Sequence, residues 1–204
     1  MVRRSTPKQT RIVYQFVCED SKSSQNYIQG FSSYFGLGLE TMSSNGTSAK
    51  NVVTTAKTKA KYFSKNFIPY KMHCIFDKDD DNISVIAKVI EECKKKDFRY
   101  GYSNPCYEYW LLLHYKSSNK AFTSAKECCS ECLKAYNAEK SKEYNLTQLK
   151  AEKNIFDIED FKTALKNADA LSFDDINNTY TNMHDLLKQI LREKKIEGYE
   201  DEAQ

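Results

Sequence analysis

With 204 residues, 40% of them hydrophobic and 13% aromatic, the chain has the make-up of a folded protein and not of a disordered one. Its 31 basic and 28 acidic residues leave a formal net charge of +3, too balanced to mark a nucleic-acid binder by totals alone, so such a role has to rest on local charge. No apolar run approaches the roughly 18 residues of a membrane span, and seven cysteines without a secretory signal segment are expected to be reduced thiols of a cytoplasmic protein.

In chain order, residues 1–11 are short, basic and interrupted by Pro7, and read as an arm. IVYQFVCE (12–19) is almost continuously apolar and β-branched or aromatic, as in an interior strand of a parallel sheet. Ser23 or Ser24 is expected to cap a helix reaching about Phe35, with Tyr27, Ile28, Phe31 and Phe35 inward. LETM is a brief strand candidate. A helix from near Ser48 buries Val52, Ala56, Ala60, Phe63 and Phe67, and carries Lys50, Lys57, Lys61 and Lys65 almost opposite.

KMHCIFD is a second strong strand and runs straight into DKDDDN. A helix over Ile83, Ile86, Val89, Ile90 and Cys93 closes on three lysines, where positive charge suits a helix C-terminus. FRYGYS (98–103) reads as a strand, and NPCYEYWLLLHY (104–115) as a mostly buried helix with Pro105 in its first turn. This alternation predicts an α/β fold with a mostly parallel sheet flanked by helices over 1–116. Beyond it the pattern turns helical, at about 121–139, 159–169 and 180–194, giving a helical C-terminal region, 117–204, packed on that core.

In parallel α/β sheets, sites gather beyond the carboxyl ends of the strands. Two strands here end in acid: one at Glu19 and Asp20, the other at Asp77, Asp79, Asp80 and Asp81. If they are neighbours, the carboxylates share a small volume, the pattern of a hard-cation site for Mg²⁺ or Mn²⁺. Asp77 and Asp79, on alternate positions, are the expected metal contacts, while Asp80 and Asp81 are expected to cap the next helix. An EF-hand is excluded by counting, because Asn82 stands where the loop needs Gly and Lys88 where it needs Glu. A phosphoacceptor receiver lacks its final lysine-bearing strand, and a metal-free acidic turn is the bland alternative.

The lysine stripe reads first as a solvated helix face; in the alternative, Lys57 and Lys61 contact a nucleic-acid backbone. CCSEC (128–132) suggests zinc at first sight, yet Phe122, Ala125, Cys129, Cys132 and Tyr136 trace one helix face and no histidine has finger-like spacing, so core packing is expected, as for Cys18, Cys74 and Cys106. His73 reads as a core histidine, and His114 as a residue that buttresses the site.

RIVYQFVCEDSKSSQNYI, CIFDKDD and YSNPCYEYWLLLHY together resemble the RloB-like proteins, with a weaker likeness at NNTYTNMHDLL. That resemblance implies a Toprim-like core and a metal-dependent nuclease of prokaryotic antiviral defence, acting on DNA or RNA. Glu19 would match the Toprim glutamate, and Asp77 and Asp79 its metal-binding pair; Glu108 (catalytic) and Asn104 (substrate-binding) fall in the family's own signature. The family's association with an RloA-type ATPase implies a possible partner, and a homo-oligomer is compatible with the sequence. The chain departs from the family where a Gly and then a Thr-Glu pair usually follow the glutamate: it has Asp20 and then Ser23 and Ser24. Asp20 is a candidate substitute for the missing acid. The same departure leaves open a weakly active regulatory or binding subunit.

Overall fold

The computed structural model describes residues 11–79, 81–171 and 176–199. In chain order the elements are β1 (Val13–Cys18), α1 (Ser23–Tyr34), β2 (Glu40–Ser43), α2 (Ala49–Lys65), β3 (Tyr70–Asp77), α3 (Ile83–Lys95), β4 (Arg99–Asn104), α4 (Glu108–Leu112), α5 (Ala125–Lys140), α6 (Leu146–Ala151), α7 (Ile158–Asp169), β5 (Tyr180–Thr181) and α8 (Met183–Glu193). The strands form one sheet in the order β2-β1-β3-β4-β5, parallel except for β5. The expected α/β architecture, a mostly parallel sheet with helices on both sides, is what the chain adopts.

Alternation along the interior strands sorts the core into two layers. Phe16, Cys18 and Ile75 face one side, where α1, α4, α5, α7 and α8 bury Tyr27, Phe31, Trp110, Cys132, Phe161 and Leu187. Val17, Met72, Cys74 and Phe76 face the other, against Val52, Ala56 and Phe63 of α2 and Ile86 and Ile90 of α3. His73 stacks on Phe16 with ring centroids 4.5 Å apart, and burial holds it neutral, down to about 3. The region after residue 116 shares the first layer and also lends the sheet its edge.

That edge strand is where the sequence reading departs from the structure. Instead of a helix from 180, Tyr180 and Thr181 pair antiparallel with Asn104 and Ser103, and Asn182 Oδ1 accepts a 2.7 Å hydrogen bond from the Tyr102 amide before α8 begins. The helix expected over 104–115 contracts to Glu108–Leu112, flanked by single turns such as Tyr109 N–H to Cys106 C=O and His114 N–H to Leu111 C=O. Phe122 lies before α5, which starts after the Ser124 cap. α6 went unread although its signal is local: Asn145 accepts from the Gln148 amide while the Gln148 side chain accepts from the Asn145 amide, a capping box.

Candidate metal centre

β1 and β3 are adjacent and parallel, in a register that pairs Cys18 with Ile75, so both strands reach their carboxyl ends at one place. The Glu19 amide donates to the Ile75 carbonyl at 2.9 Å, and Glu19 Oε2 accepts from the Asp77 amide at 3.2 Å. Asp77 ends β3. Two residues on, Asp79 turns back with φ +38, a left-handed conformation that aspartate tolerates better than most residues, and donates its amide to the Pro105 carbonyl at 2.9 Å. Carboxylate oxygens of Glu19, Asp77 and Asp79 thereby lie within 4.8 Å of one another.

The electrostatics of this trio are unfavourable on their own. Burial, reinforced by the charges of Asp79, Asp81 and Asp20, pushes the Glu19 carboxyl up to about 7. Burial and then the charges of Asp79 and Glu19 hold Asp77 well above the usual carboxylate range, although Oδ2 accepts the Tyr107 amide at 3.0 Å. Asp77 Oδ1 is buried without a hydrogen-bond partner among the described residues. Such an oxygen normally has one, because leaving it bare costs on the order of 1–3 kcal/mol. A hard divalent cation fits this donor set, since it takes carboxylate oxygens and relieves their repulsion together.

The trio opens into a cavity of about 300 Å³. α5 and α6 also line it, through Lys126 and Lys150. Sequence patterning passed over both lysines. Asp20 and Ser24 also line the cavity, but Asp20 is engaged in capping α1: Oδ1 accepts from the Lys22 and Ser24 amides at 3.1 and 3.2 Å and from Ser24 Oγ at 2.8 Å. The start of α1 is thus bonded by Asp20 and not capped by Ser23 or Ser24, and this commits Asp20, the candidate substitute for the missing acid. At α3 the cap is Asn82, which accepts from the Ser84 amide at 2.9 Å, and not Asp81; Asp80 lies outside the described residues.

The remaining predicted residues fall elsewhere. Glu108 lines the same cavity but sits apart from the trio, with Oε1 3.2 Å from Lys150 Nζ and Oε2 3.4 Å from Cys129 Sγ. Asn104 turns away and donates to the Ile176 carbonyl at 2.9 Å, tying β4 to the segment before β5. His114 is behind the site: it accepts from or donates to the Tyr27 hydroxyl at 2.9 Å through Nε2, meets the Trp110 carbonyl at 3.0 Å through Nδ1, and is held neutral by burial, down to about 4. The carbonyl can only accept, so Nδ1 carries the proton and Nε2 takes that of Tyr27. Lys57 and Lys61 are exposed on α2, across the sheet from α5 and α6, and Lys57 pairs with Glu92 of α3 at 2.6 Å. Neither lines the cavity.

The model of the RloB-like protein family matches residues 14–190. The chain belongs to the RloB-like family. That match runs from β1 into α8, so it includes both acid-bearing strand ends, the YSNPCYEYWLLLHY stretch (102–115) and the helices of this RloB-like chain that carry Lys126 and Lys150. No curated protein and no solved structure matches it. Among the described residues no helix is long and apolar enough to cross a membrane.

Proposed function

We propose that this RloB-like protein is a Mg²⁺-dependent phosphodiesterase acting on nucleic acid, with a Toprim-type arrangement of Glu19, Asp77 and Asp79. The observation that carries the reading is Asp77 Oδ1, a buried acceptor without a partner among the described residues, at the centre of three converging carboxylates. Glu19, Asp77 and Asp79 would hold the ion, and Mn²⁺ would suit the same oxygens. When bound, the metal polarises a phosphoryl oxygen and makes the attacking water more acidic. Glu19, the acid that would match the Toprim glutamate, is the group that would move a proton between the attacking water and the leaving oxygen. The Tyr107 amide fixes Asp77 through Oδ2, so the carboxylate presents Oδ1 inward. Lys126 and Lys150 receive the phosphate backbone across the cavity. The family's association with antiviral defence and with an RloA-type ATPase supports placing the activity there.

Ser24 supports a second reading. It stands where the family has an acid, and its hydroxyl donates to Asp20 at 2.8 Å, which commits that carboxylate to the start of α1. A chain of this kind would keep the fold and the ion but act as a weakly active subunit of an ATPase complex.

The test is cleavage of DNA and RNA by purified protein with Mg²⁺ or Mn²⁺, beside Asp77→Asn. Cleavage in the native chain and its loss in the variant are expected. Equal cleavage by both removes the assigned site; none by either, with tight binding to the ATPase, favours the second reading.

A further inference from the structure

The cavity holds a second cluster of a different chemical kind. Cys106, in the turn before α4, Glu108, the first residue of α4, and Cys129 of α5 have side-chain donor atoms within 4.8 Å of one another, and all are buried, at 2%, 2% and 6% exposure. Cys106 Sγ is 3.7 Å from Cys129 Sγ, and Cys129 Sγ is 3.4 Å from Glu108 Oε2. A tetrahedral zinc ion with Zn–S of about 2.3 Å and Zn–O of about 2.0 Å requires S···S and S···O edges of roughly 3.8 and 3.5 Å. The two measured edges agree with that polyhedron before any atom moves.

Charge and orientation also agree. Glu108 Oε1 is 3.2 Å from Lys150 Nζ, so the lysine fixes the carboxylate through one oxygen and leaves Oε2 toward the sulfurs, orienting it as a metal ligand is oriented by its hydrogen-bond partner. Thiol–thiol contact and burial hold both cysteines protonated in the metal-free chain, so binding would release two protons. The two thiolates and the carboxylate would then carry three negative charges for a divalent ion and Lys150 to neutralise together. Cys106, Glu108 and Cys129 all line the cavity, so the fourth position of the ion would open into it. Reading along the chain, CCSEC offered no partners because they come from residues 106 and 108, 20 or more positions upstream of Cys129.

We propose that Cys106, Glu108 and Cys129 form a zinc site with one position open to the cavity. The site goes beyond the magnesium-dependent reading and does not rest on it. Its ion ties the 106–108 turn to α5. Tyr107, between two of the ligands, donates its amide to Asp77 Oδ2 at 3.0 Å, so the zinc site positions the backbone that holds the carboxylate centre.

Elemental analysis after dialysis against a weak chelator, and the thiolate-to-cobalt charge-transfer band after exchange with Co²⁺, read the site without reference to cleavage. One equivalent of zinc and the band are expected in the native chain, lost in Cys106→Ser and Cys129→Ser, and retained in Cys132→Ser and in Asp77→Asn. Retention of zinc by both serine variants, or its loss only in Asp77→Asn, overturns the proposal. Should the serine variants fail to fold, zinc K-edge absorption of the native protein decides: two sulfurs at about 2.3 Å uphold the site. A shell of oxygen and nitrogen alone, or no retained zinc, overturns it.

Discussion

Binding of Mg²⁺ to the Glu19–Asp77–Asp79 centre should be strongly pH-dependent, and the size of the effect follows from the raised carboxyls. The ion needs the ionised groups, so every proton held above the working pH must be displaced. With Glu19 at about 7, roughly nine in ten molecules have it ionised at pH 8 but only about one in a hundred at pH 5, which weakens affinity about 90-fold. Asp77, held higher still by burial and by Asp79 and Glu19, steepens the dependence, and the cluster titrates as a unit. A Mg²⁺ concentration one hundred times Kd at pH 8 stabilises the fold by about 2.7 kcal/mol. For a chain of this size that is roughly 5 to 11 °C in Tm. At pH 5 the same concentration is about one Kd, worth about 0.4 kcal/mol and a shift of roughly 1 to 2 °C.

The metal-free protein should slope the other way. Because the folded state holds the Glu19 proton more tightly than the unfolded chain, from 4.5 up to about 7, the contribution of this group to stability is present below that window and lost as pH rises through it. Thermal melts at pH 5 and pH 8, with and without Mg²⁺, measure both slopes, and Asp77→Asn should abolish the metal-induced shift at either pH. An equal Mg²⁺ shift at the two pH values, or one that survives Asp77→Asn, refutes the assignment of these carboxylates to the ion.

Asp79→Asn should lower the Glu19 midpoint from about 7, since Asp79 heads the charges that raise it; a carboxyl NMR titration in which the midpoint stays or climbs contradicts that cause. Trp110→Ala should cost about 3–5 kcal/mol in chemical denaturation, because the indole is fully buried against Tyr27 and His114, and a loss under 1 kcal/mol would mean that the α1–α4 packing is misread. Gly101→Ala should cost about 1–3 kcal/mol, its new Cβ meeting Met183 Sδ and Leu186 Cδ2 of α8; a neutral result would show that α8 yields freely. Lys126→Ala should reduce the salt dependence of nucleic-acid binding by about one unit of slope while Lys61→Ala leaves it unchanged, and the reverse pattern would move the nucleic-acid path to α2.

The acidic half of the site was legible in the sequence because two local facts suffice to build it. IVYQFVCE and KMHCIFD each run apolar into acid, and a parallel sheet places both strand ends on one side, so adjacency of β1 and β3 does the rest. The cationic half depends on where helices dock. Lys57 and Lys61 show clear helical periodicity, but periodicity reports which face of a helix is wet and not which side of the sheet the helix covers; α2 packs on the side that buries Val17 and Phe76, away from α5 and α6. Lys126 and Lys150 belong to helices whose own patterns are weak, and only the packing of α4 and α5 on the Phe16 side of the sheet brings them over the cavity.

The same reasoning explains β5 and the cysteines. Two residues are too few to show a strand period, and Tyr180–Thr181 becomes a strand only because β4 leaves an open edge that Asn182 then closes by bonding to the Tyr102 amide. Cys129 is a helix-face residue in sequence and a core residue in the structure, as expected, yet its neighbours across the helix boundary are a thiol and a carboxylate and not only hydrocarbon. Glu108 shows what that implies. A carboxylate at 2% exposure is costly to bury unless paired, and its position in the signature suggests a further acid beside Glu19, Asp77 and Asp79. Lys150 and the two sulfurs give it different work, one wall away from Asp77. The cavity therefore carries a carboxylate cluster where the strands end and a cluster of two thiols and Glu108 where the helices meet, and the Tyr107 amide, between Cys106 and Glu108 in the chain, joins them through its hydrogen bond to Asp77 Oδ2.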